Sequence, residues 1–418
     1  MTAQTFVTPH PAHRIDPTGS DIQGEAAVLA EHGPAARVLL PGDIPAWAVT
    51  SQDLACRLLA RKDALSKDAR QHWPAYIRGE IPADWPLRIW VDVVNALTAH
   101  DVDHKRLRRP LAAAFSARRV RALVPHVETI TRQFLDSLGS AGPDTTIDLK
   151  KAFTWQLPLL VISRLFHVPD HLHVAFRDAS GALFATNLPP AEATAARHRI
   201  NDLITDLIRY KRALPGEDLT TDLIAARDAG ELSEQELQDA FLLVIGAGHE
   251  TTVNALGHGV VNLTAHPDQL ALALQGHIPW ERVVEETLRF EAPVATVLAR
   301  FAVRTIHDEP SGLTFEQGDV IVMNYAAAGR DVTIHGDTAG LFDITRASAH
   351  RHLAFGFGAH MCVGAELARI EARIALQALF TRFPHLSLAV DPGQLRPLAS
   401  FISNGHEELP VRLGAPAR

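Results

Sequence analysis

Cysteine is nearly absent from this sequence of 418 residues, which contains only Cys56 and Cys362. Two cysteines so far apart in the chain cannot form a disulfide framework, a four-cysteine iron–sulfur cluster or a multi-cysteine zinc site on their own. A cysteine that does chemistry here must therefore act singly. Cys56 lies in the amphipathic run LACRLLAR and is interpreted as a small buried hydrophobic residue.

The sequence also lacks a long apolar run free of charge. Its first twenty residues contain no basic stretch followed by an apolar one, so neither a secretory signal nor an amino-terminal anchor is expected. The most apolar long segment, Ala240 to Ala265, carries Glu250 near its middle, and a charge at the centre of a bilayer is costly. We interpret this segment as a buried helix and expect a cytoplasmic protein with no membrane partner.

Basic residues are outnumbered by acidic ones, with 40 Lys and Arg against 48 Asp and Glu, for a formal net charge of −8. This balance gives no reason to expect nucleic acid as a partner. The content of 47% hydrophobic and 21% charged residues is that of an ordinary globular protein. A chain of this length exceeds one small core, yet no shift in composition marks a linker. Residues 1–418 are therefore predicted to form a single domain with two packed lobes.

Helical periodicity dominates the chain, for example over Ala117–Leu138 and Arg197–Arg212. Short runs rich in β-forming residues predict strands at Ala36–Ala48, Ala295–Val303 and Asp319–Met323. The predicted fold is mainly α, with a smaller β-sheet lobe.

The most informative stretch is His352–Gly364, with the sequence HLAFGFGAHMCVG. Gly356 and Gly358 permit a tight loop where the backbone must approach something flat. The residues from Ala365 onward are strong helix formers, so Cys362 is predicted to lie just before a helix amino terminus. Free N–H groups and the helix dipole at such a position stabilise a thiolate.

A second segment begins at Ser233, whose spacing to Glu236 is that of a capping box, so a helix is predicted to start there. Further along, this helix carries the stretch Ala247-Gly-His-Glu-Thr251. Its small residues leave space beside the helix axis for a molecule such as O2. The hydroxyl of Thr251 can bond the carbonyl of Ala247, one turn back.

The same helix carries a polar stripe of residues that recur at intervals of four: Glu250, Asn254, His258 and Asn262. The rest of the helix is apolar. Glu250 is expected on the solvent side, where its carboxyl group can relay protons.

Five residues of the cysteine loop match, position by position, the signature of the cytochrome P450 family: Phe355, Gly358, His360, Cys362 and Gly364. The stretch Ala247–Thr251 resembles the acid–alcohol motif of the same family. The resemblance implies the cytochrome P450 fold and a haem b cofactor, with Cys362 as the thiolate ligand that favours O–O bond cleavage. It also implies that Thr251 hydrogen-bonds bound dioxygen and that Glu250 helps to deliver protons.

The resemblance assigns further residues to the cofactor and to the fold. Haem carries two propionates that need cationic or hydrogen-bonding anchors. The residues expected to contact haem, besides Cys362, are His104, Arg108, Ala247, Gly248, Arg300, Phe355, His360 and Gly364. Glu286 and Arg289 lie three apart on one helical face, and the family pattern adds Arg346 to them as a buried structural group.

The implied activity is that of a monooxygenase, which inserts one oxygen atom from O2 into a bulky hydrophobic small molecule. The resemblance is to soluble bacterial members of the family, of the actinobacterial kind, and implies a steroid, a macrolide or another polyketide as the substrate class. The substrate contacts implied by the resemblance are the loop around Trp85–Leu97, the region Leu183–Asn187, Val244, Val294, Val297, Phe401 and Ile402. Most of these residues are apolar, as a hydrophobic ligand requires.

Electrons are expected from separate proteins, a ferredoxin and a ferredoxin reductase. The sequence has no GxGxxG dinucleotide fingerprint and no ferredoxin-like set of cysteines. A basic cluster is either a solvated face or a docking patch for an acidic electron-transfer protein: Arg106, Arg109, Arg118, Arg119 and Arg121.

Other readings of these residues stay open. Oxidative coupling of aromatic rings uses the same iron chemistry as hydroxylation. A non-catalytic haem sensor or carrier would not require the pair Glu250 and Thr251. A zinc site built from His360 and Cys362 would need two further well-placed ligands.

Overall fold

The computed structural model describes residues 12–85, 87–183 and 190–417. The strands are β1 His13–Arg14, β2 Ala35–Leu40, β3 Ile44–Val49, β4 Leu65–Ser66, β5 Thr146–Asp148, β6 Thr296–Ala302, β7 Ile306–Asp308, β8 Leu313–Phe315, β9 Val320–Asn324, β10 Ser387–Leu388 and β11 Pro410–Arg412.

The helices are α1 Ile22–Glu31, α2 Gln52–Ala60, α3 Ala69–His72, α4 Pro74–Ile77, α5 Ile89–Asp92, α6 Asp101–Ala114, α7 Ala117–Leu138, α8 Gln156–Leu165, α9 Asp170–Leu183, α10 Pro190–Ala213, α11 Leu219–Asp228, α12 Glu234–Ala265, α13 Pro267–Leu274, α14 Trp280–Phe290, α15 Tyr325–Gly329, α16 Val332–His335 and α17 Ala365–Arg382. A π-helical turn at Lys150–Thr154 leads into α8. Helices thus far outweigh strands, which confirms the predicted mainly α fold with a smaller sheet lobe. None of the described helices combines the length and apolarity needed to cross a membrane.

The sheet lobe is built around one six-stranded mixed sheet with the order β1-β2-β3-β9-β6-β4. Two of its strands, β6 and β9, lie where strands were predicted and pair antiparallel, with Thr296 opposite Asn324. Their register shifts between Val297 and Arg300, an irregularity that re-aims the side chains on either side of it. Smaller sheets join β10-β11-β5 and β7-β8.

The prediction of one strand over Ala36–Ala48 was wrong, because this segment is the hairpin of β2 and β3. The two strands pair antiparallel from Ala35 opposite Val49 to Leu40 opposite Ile44. Between them, Gly42 has φ +81° and Asp43 has φ +59°. Left-handed backbone of this kind reverses the chain, and the Pro-Gly-Asp sequence at this point is a turn signal.

Helix α12 is the central element of the helical lobe and packs against α8, α14 and α17. Its predicted start is confirmed, because Ser233 and Glu236 form a complete capping box. The Ser233 hydroxyl accepts from the N–H of Glu236 at 3.1 Å, and the Glu236 carboxylate accepts from the N–H of Ser233 at 2.8 Å. Close contact with α17 depends on Gly259, where a Cβ would meet the side chain of Leu376.

The structure brings together the three residues of the expected structural group. The Arg289 guanidinium donates two 2.7 Å hydrogen bonds to the Glu286 carboxylate, and both side chains are 0% exposed. Arg346 lies 3.4 Å from the same carboxylate. Other N–H groups of the two guanidiniums donate to backbone carbonyls of the loop that precedes the cysteine, from Arg289 to Ala339 at 2.7 Å and from Arg346 to Thr338 at 2.7 Å. The group therefore ties α14 to this loop.

Candidate active site

The cysteine loop is a tight turn that ends on the amino terminus of α17. Gly356 and Gly358 adopt φ +71° and +74°, and a side chain at Gly358 would collide with the carbonyl of Leu59. The N–H of Cys362 donates to the carbonyl of Phe355 at 2.8 Å. Cys362 thus stands three residues before α17 begins, as the helix-forming sequence after it predicts.

The sulfur of Cys362 faces a cavity and is open to it. Burial within the protein raises the pKa of this thiol, because a thiolate is poorly solvated there. The N–H of Gly364 and the charge of Arg108 act in the opposite direction and favour the thiolate. The thiol therefore ionises when a further positive charge, such as a metal ion, binds in front of it.

The cavity brings most of the predicted site residues to one place. It lies between α12, the cysteine loop and β6, and the predicted residues that line it are Arg108, Val244, Ala247, Gly248, Thr251, Val294, Val297, Arg300, Phe355, His360, Cys362 and Gly364. Leu97, at the end of the predicted substrate loop, also lines it. Residues 184–187 of the predicted substrate region lie outside the described part of the chain.

Three predicted substrate contacts do not lie on the cavity wall. Phe401 and Ile402 are 5% and 8% exposed and pack into the core of the sheet lobe. Trp85 belongs to the same core, where its indole N–H donates to the carbonyl of Pro41 at 2.7 Å. Their apolar character reflects ordinary core packing, which the sequence does not distinguish from a ligand-binding wall.

Thr251 and Glu250 occupy two different faces of α12. The Thr251 hydroxyl lines the cavity and donates to the carbonyl of Ala247 at 2.6 Å, the bond expected from the sequence. Glu250 points to the other side, where it bonds Ser403 and lies near Lys150. Burial raises the pKa of Glu250, and the Ser403 hydrogen bond and the Lys150 charge offset part of that rise. The carboxyl group therefore holds its proton to a higher pH than an ordinary glutamate.

Glu250 was expected on the solvent side and is half-buried, because residues 403–406 lie over the polar stripe. Asn254 and His258 are 2% and 5% exposed. His258 Nε2 lies 3.1 Å from the carbonyl of Asn404, and Lys150 donates to the carbonyl of His406 at 2.6 Å. The stripe is polar since it packs against a carboxyl-terminal segment that presents its own polar groups, an arrangement that no local pattern reveals.

Basic side chains gather at one edge of the cavity, where Arg300 and His360 also line a neighbouring cleft together with His104. Among the described residues, Arg300 Nε and His104 Nε2 are buried with no hydrogen-bond partner. The rings of His104 and His360 lie 4.0 Å apart. Burial and the nearby Arg108 lower the pKa of His104 to about 4, and burial and Arg300 lower the pKa of His360 as well. Unused donors and mutual repulsion of this kind show that the site fits an anionic group.

These features together fit haem. A flat group carrying two carboxylates would place its metal before the Cys362 sulfur, and its carboxylates would satisfy Arg300, His104 and their neighbours. The alternative of a zinc site built from His360 and Cys362 has no comparable support from the geometry. Over residues 12–85, 87–183 and 190–417, no group of three or more His, Cys, Asp or Glu side chains is arranged to hold a metal ion.

Two charged residues of the cavity wall were missed from the sequence. Glu371 of α17 is 4% exposed, burial raises its pKa well above the ordinary value, and its Oε2 has no partner among the described residues. Its place between Leu367 and Ile374, on the buried face of α17, is a signal that sequence inspection can use. Lys67 follows β4 and is also 4% exposed. Its sequence context, Ser-Lys-Asp, gives no such signal.

The basic cluster is not a free positive face. Arg106 bonds Glu236 at 2.8 Å, Arg118 lies 3.5 Å from Glu217, and carboxylates also pair with two other members, Arg109 with Glu231 and Arg119 with Asp222. These ion pairs favour the interpretation as a solvated, locally neutralised face over that of a docking patch.

Comparison with known proteins agrees with this geometry. The model of the family described as Cytochrome P450 matches residues 280–399. The chain is 40% identical over 402 residues to 2-hydroxy-5-methyl-1-naphthoate 7-hydroxylase of Streptomyces carzinostaticus, covering 96% of this chain and 97% of that protein. It is 36% identical to 6-deoxyerythronolide B hydroxylase of Saccharopolyspora erythraea, covering 93% and 95%.

A solved structure extends the likeness to three dimensions. CYP154A1 of Streptomyces coelicolor is 45% identical and matches with a TM-score of 0.87, over 96% of this chain and 100% of that one. Identity at this level over nearly the full length, together with a lone cysteine that faces a cationic cavity, leads to one conclusion. The chain belongs to the cytochrome P450 family and is a haem-thiolate monooxygenase.

Proposed function

We propose that this monooxygenase inserts one oxygen atom from O2 into a bulky, mainly apolar small molecule of the steroid, macrolide or other polyketide class. The cofactor in this proposal is haem b, whose iron Cys362 would hold, and the electron donors are a ferredoxin and its reductase. One observation carries the proposal: Thr251 and Cys362 line the same cavity, and Glu250 is held behind Thr251 on the same helix. The cytoplasmic location expected from the sequence stays a prediction.

The substrate class is supported by the apolar part of the cavity wall. Val244, Val294, Val297, Leu243 and Ile162 give it a hydrophobic surface with few polar groups. The names of the two hydroxylases compared above refer to a naphthoate and to 6-deoxyerythronolide B. Both names are consistent with a large ring system as the substrate of this chain.

The residues on the two sides of the cavity have different roles in the proposed reaction. When bound, haem supplies the iron at which O2 is reduced and its O–O bond broken. Cys362 would hold the metal, and the Gly364 N–H would moderate the negative charge on its sulfur. Arg300, Arg108, His104 and His360 would hold the propionates.

On the opposite side, Thr251 and Glu250 take part in proton delivery. The Thr251 hydroxyl donates its hydrogen bond to the Ala247 carbonyl, so its oxygen lone pairs remain available in the cavity. Consecutive helix residues point in directions about 100° apart. Glu250 must therefore pass its proton to the cavity through a water molecule or by a rotation of its side chain. The apolar wall keeps bulk water from competing with this route.

The proposal is tested with purified haem-loaded protein, a ferredoxin, its reductase, NADPH and ¹⁸O-labelled O2. The probes are testosterone, vitamin D3 and 6-deoxyerythronolide B, screened first by the shift of the Soret band. We expect at least one probe to bind and to gain a single labelled oxygen atom. Binding without label in the product, or label delivered only from water, would contradict insertion of oxygen from O2.

A further inference from the structure

A network of three side chains joins α14 and α17 to the start of the cysteine loop. The carboxylate of Glu285, on α14, accepts hydrogen bonds from Arg369, on α17, at 2.5 Å and 3.2 Å. Its Oε2 also lies 3.1 Å from Nε2 of His352, the residue at which the loop begins. The pair of Glu285 and Arg369 therefore fixes the loop from the side that faces these two helices.

The hydrogen bonds show which members of this network are charged. His352 Nδ1 accepts from the backbone N–H of Ala354 at 3.1 Å, so the ring proton is on Nε2, which donates to Glu285. The imidazole is therefore neutral. Burial acts to raise the pKa of Glu285, but the hydrogen bonds from His352 and Arg369 prevail and lower it to about 2. The network thus contains one carboxylate and one guanidinium.

The guanidinium lies against the residue whose backbone supports the cysteine. The guanidinium carbon of Arg369 is 4.5 Å from the centroid of the Phe355 ring, within the range of a cation–π contact. The carbonyl of Phe355 accepts from the N–H of Cys362 at 2.8 Å, and both residues line the cavity. Burial raises the pKa of the Cys362 thiol, and the charge of Arg369 is among those that oppose this rise. The positive charge of Arg369 therefore acts on the sulfur.

The two charges of the pair offset each other at the cysteine. The side chains of Glu285 and Arg369 are 16% and 33% exposed, so water screens them less than it screens charges on the open surface. While the pair is intact, the sulfur experiences a dipole. Loss of either member would leave one full charge beside the Phe355 ring or behind it.

We propose that Glu285 is a positioning residue that sets the reduction potential of the haem iron at Cys362, because it holds Arg369 against Phe355 and offsets its positive charge. An unpaired positive charge near the sulfur would favour the added electron and raise the potential, and an unpaired negative charge would lower it. The inference goes beyond the proposed function, since it concerns how readily the haem-loaded protein accepts one electron from any donor. It assigns no substrate.

The test is a redox titration of the haem-loaded protein with dithionite, in the presence of dyes of known potential and without oxygen. Glu285→Gln should raise the potential, Arg369→Gln should lower it, and the double variant should return close to wild type. At an effective dielectric constant of about 20, a unit charge about 10 Å away changes an equilibrium on the order of tenfold. With allowance for solvent screening, we expect about a 3- to 10-fold change in the equilibrium constant of reduction, which is about 30–60 mV at 59 mV per tenfold.

The next ion pair along the same two helices supplies the matched control. Glu281 and Arg373 lie one helical turn from Glu285 and Arg369, and their charged groups are 3.4 Å apart. Arg373 is one turn further from the cysteine loop, and the Glu281 side chain is 67% exposed. Glu281→Gln and Arg373→Gln should therefore keep a potential close to that of wild type.

Three results would overturn the inference. They are unchanged potentials in both single variants, shifts of the same sign in both, or equal shifts in the Glu281 and Arg373 controls. Shifts of the same sign would indicate a disturbed loop and not a lost charge. Arg369→Lys keeps the charge and decides the case in which Glu285→Gln does not retain haem. Its potential should stay near that of wild type while the potential of Arg369→Gln falls, and equal potentials of these two variants would contradict the charge effect.

The reduced carbon monoxide spectrum shows that each variant keeps the thiolate band. The potentials need neither substrate nor a ferredoxin. A failure to insert labelled oxygen would therefore count against the proposed function and leave the result for Glu285 unchanged.

Discussion

Replacing Glu286 with glutamine is expected to lower the free energy of unfolding by about 3–5 kcal/mol, because the change leaves buried guanidinium charge without its counter-ion. Glu286 is 0% exposed and bonds Arg289 twice at 2.7 Å, with Arg346 at 3.4 Å. Glutamine keeps the shape of the side chain and removes only the charge. The measurement is urea unfolding of the haem-loaded protein, followed by circular dichroism.

Glu281→Gln is the control for this prediction. Glu281 lies on the same helix, α14, and its side chain is 67% exposed beside Arg373. An exposed ion pair contributes about 0–1 kcal/mol, so the control should unfold close to wild type. Equal stability of Glu286→Gln and Glu281→Gln would show that the buried group is not what ties α14 to the loop before the cysteine.

Replacing Glu250 with glutamine is expected to slow product formation by about 10²–10³-fold, since it removes a positioned general acid. Glu250 is hydrogen-bonded to Ser403 and lies near the charge of Lys150, and burial raises its pKa. A raised pKa keeps the carboxyl group protonated to a higher pH. Product formation by wild type should therefore fall as pH rises through that pKa, whereas the residual rate of Glu250→Gln should not follow this titration. The rates are measured against pH with the best probe found by the Soret screen.

Glu234→Gln serves as the matched variant, because Glu234 lies at the exposed start of the same helix, α12. It should retain the wild-type rate and pH profile. A Glu250→Gln enzyme with unchanged rate and unchanged pH dependence would remove Glu250 from the proton route. Glu371, a buried carboxyl group on the cavity wall, would then be the remaining candidate donor within the described residues.

The sequence predicted those helices and loops whose conformation depends on residues close to them in the chain. Helix α7 spans Ala117–Leu138 as its periodicity indicates, and α12 starts after the Ser233 capping box. The cysteine loop was predictable for the same reason, since Gly356 and Gly358 are needed for its left-handed turns. The residue types at these positions are dictated by their own backbone and immediate neighbours.

Local sequence patterns did not predict contacts between residues that are far apart in the chain. The polar stripe of α12 is buried by residues 403–406, about 150 positions further on in the numbering of the chain. The apolar side chains of Phe401 and Ile402 are compatible with a place in the cavity wall and with a place in the core. The packing of the sheet lobe shows that both lie in the core. The sequence around Lys67 does not distinguish it from a surface lysine. The pairing of β4 with β6 places it next to Arg300 on the cavity wall.

The central claim is that Cys362 ligates the haem iron, and the visible spectrum of the reduced protein under carbon monoxide tests it most directly. Wild type should show the strongly red-shifted Soret band of thiolate ligation. Cys362→Ala should lack this band, and Cys56→Ala should keep it. A band typical of histidine ligation in wild type, or a red-shifted band that persists in Cys362→Ala, would contradict the account.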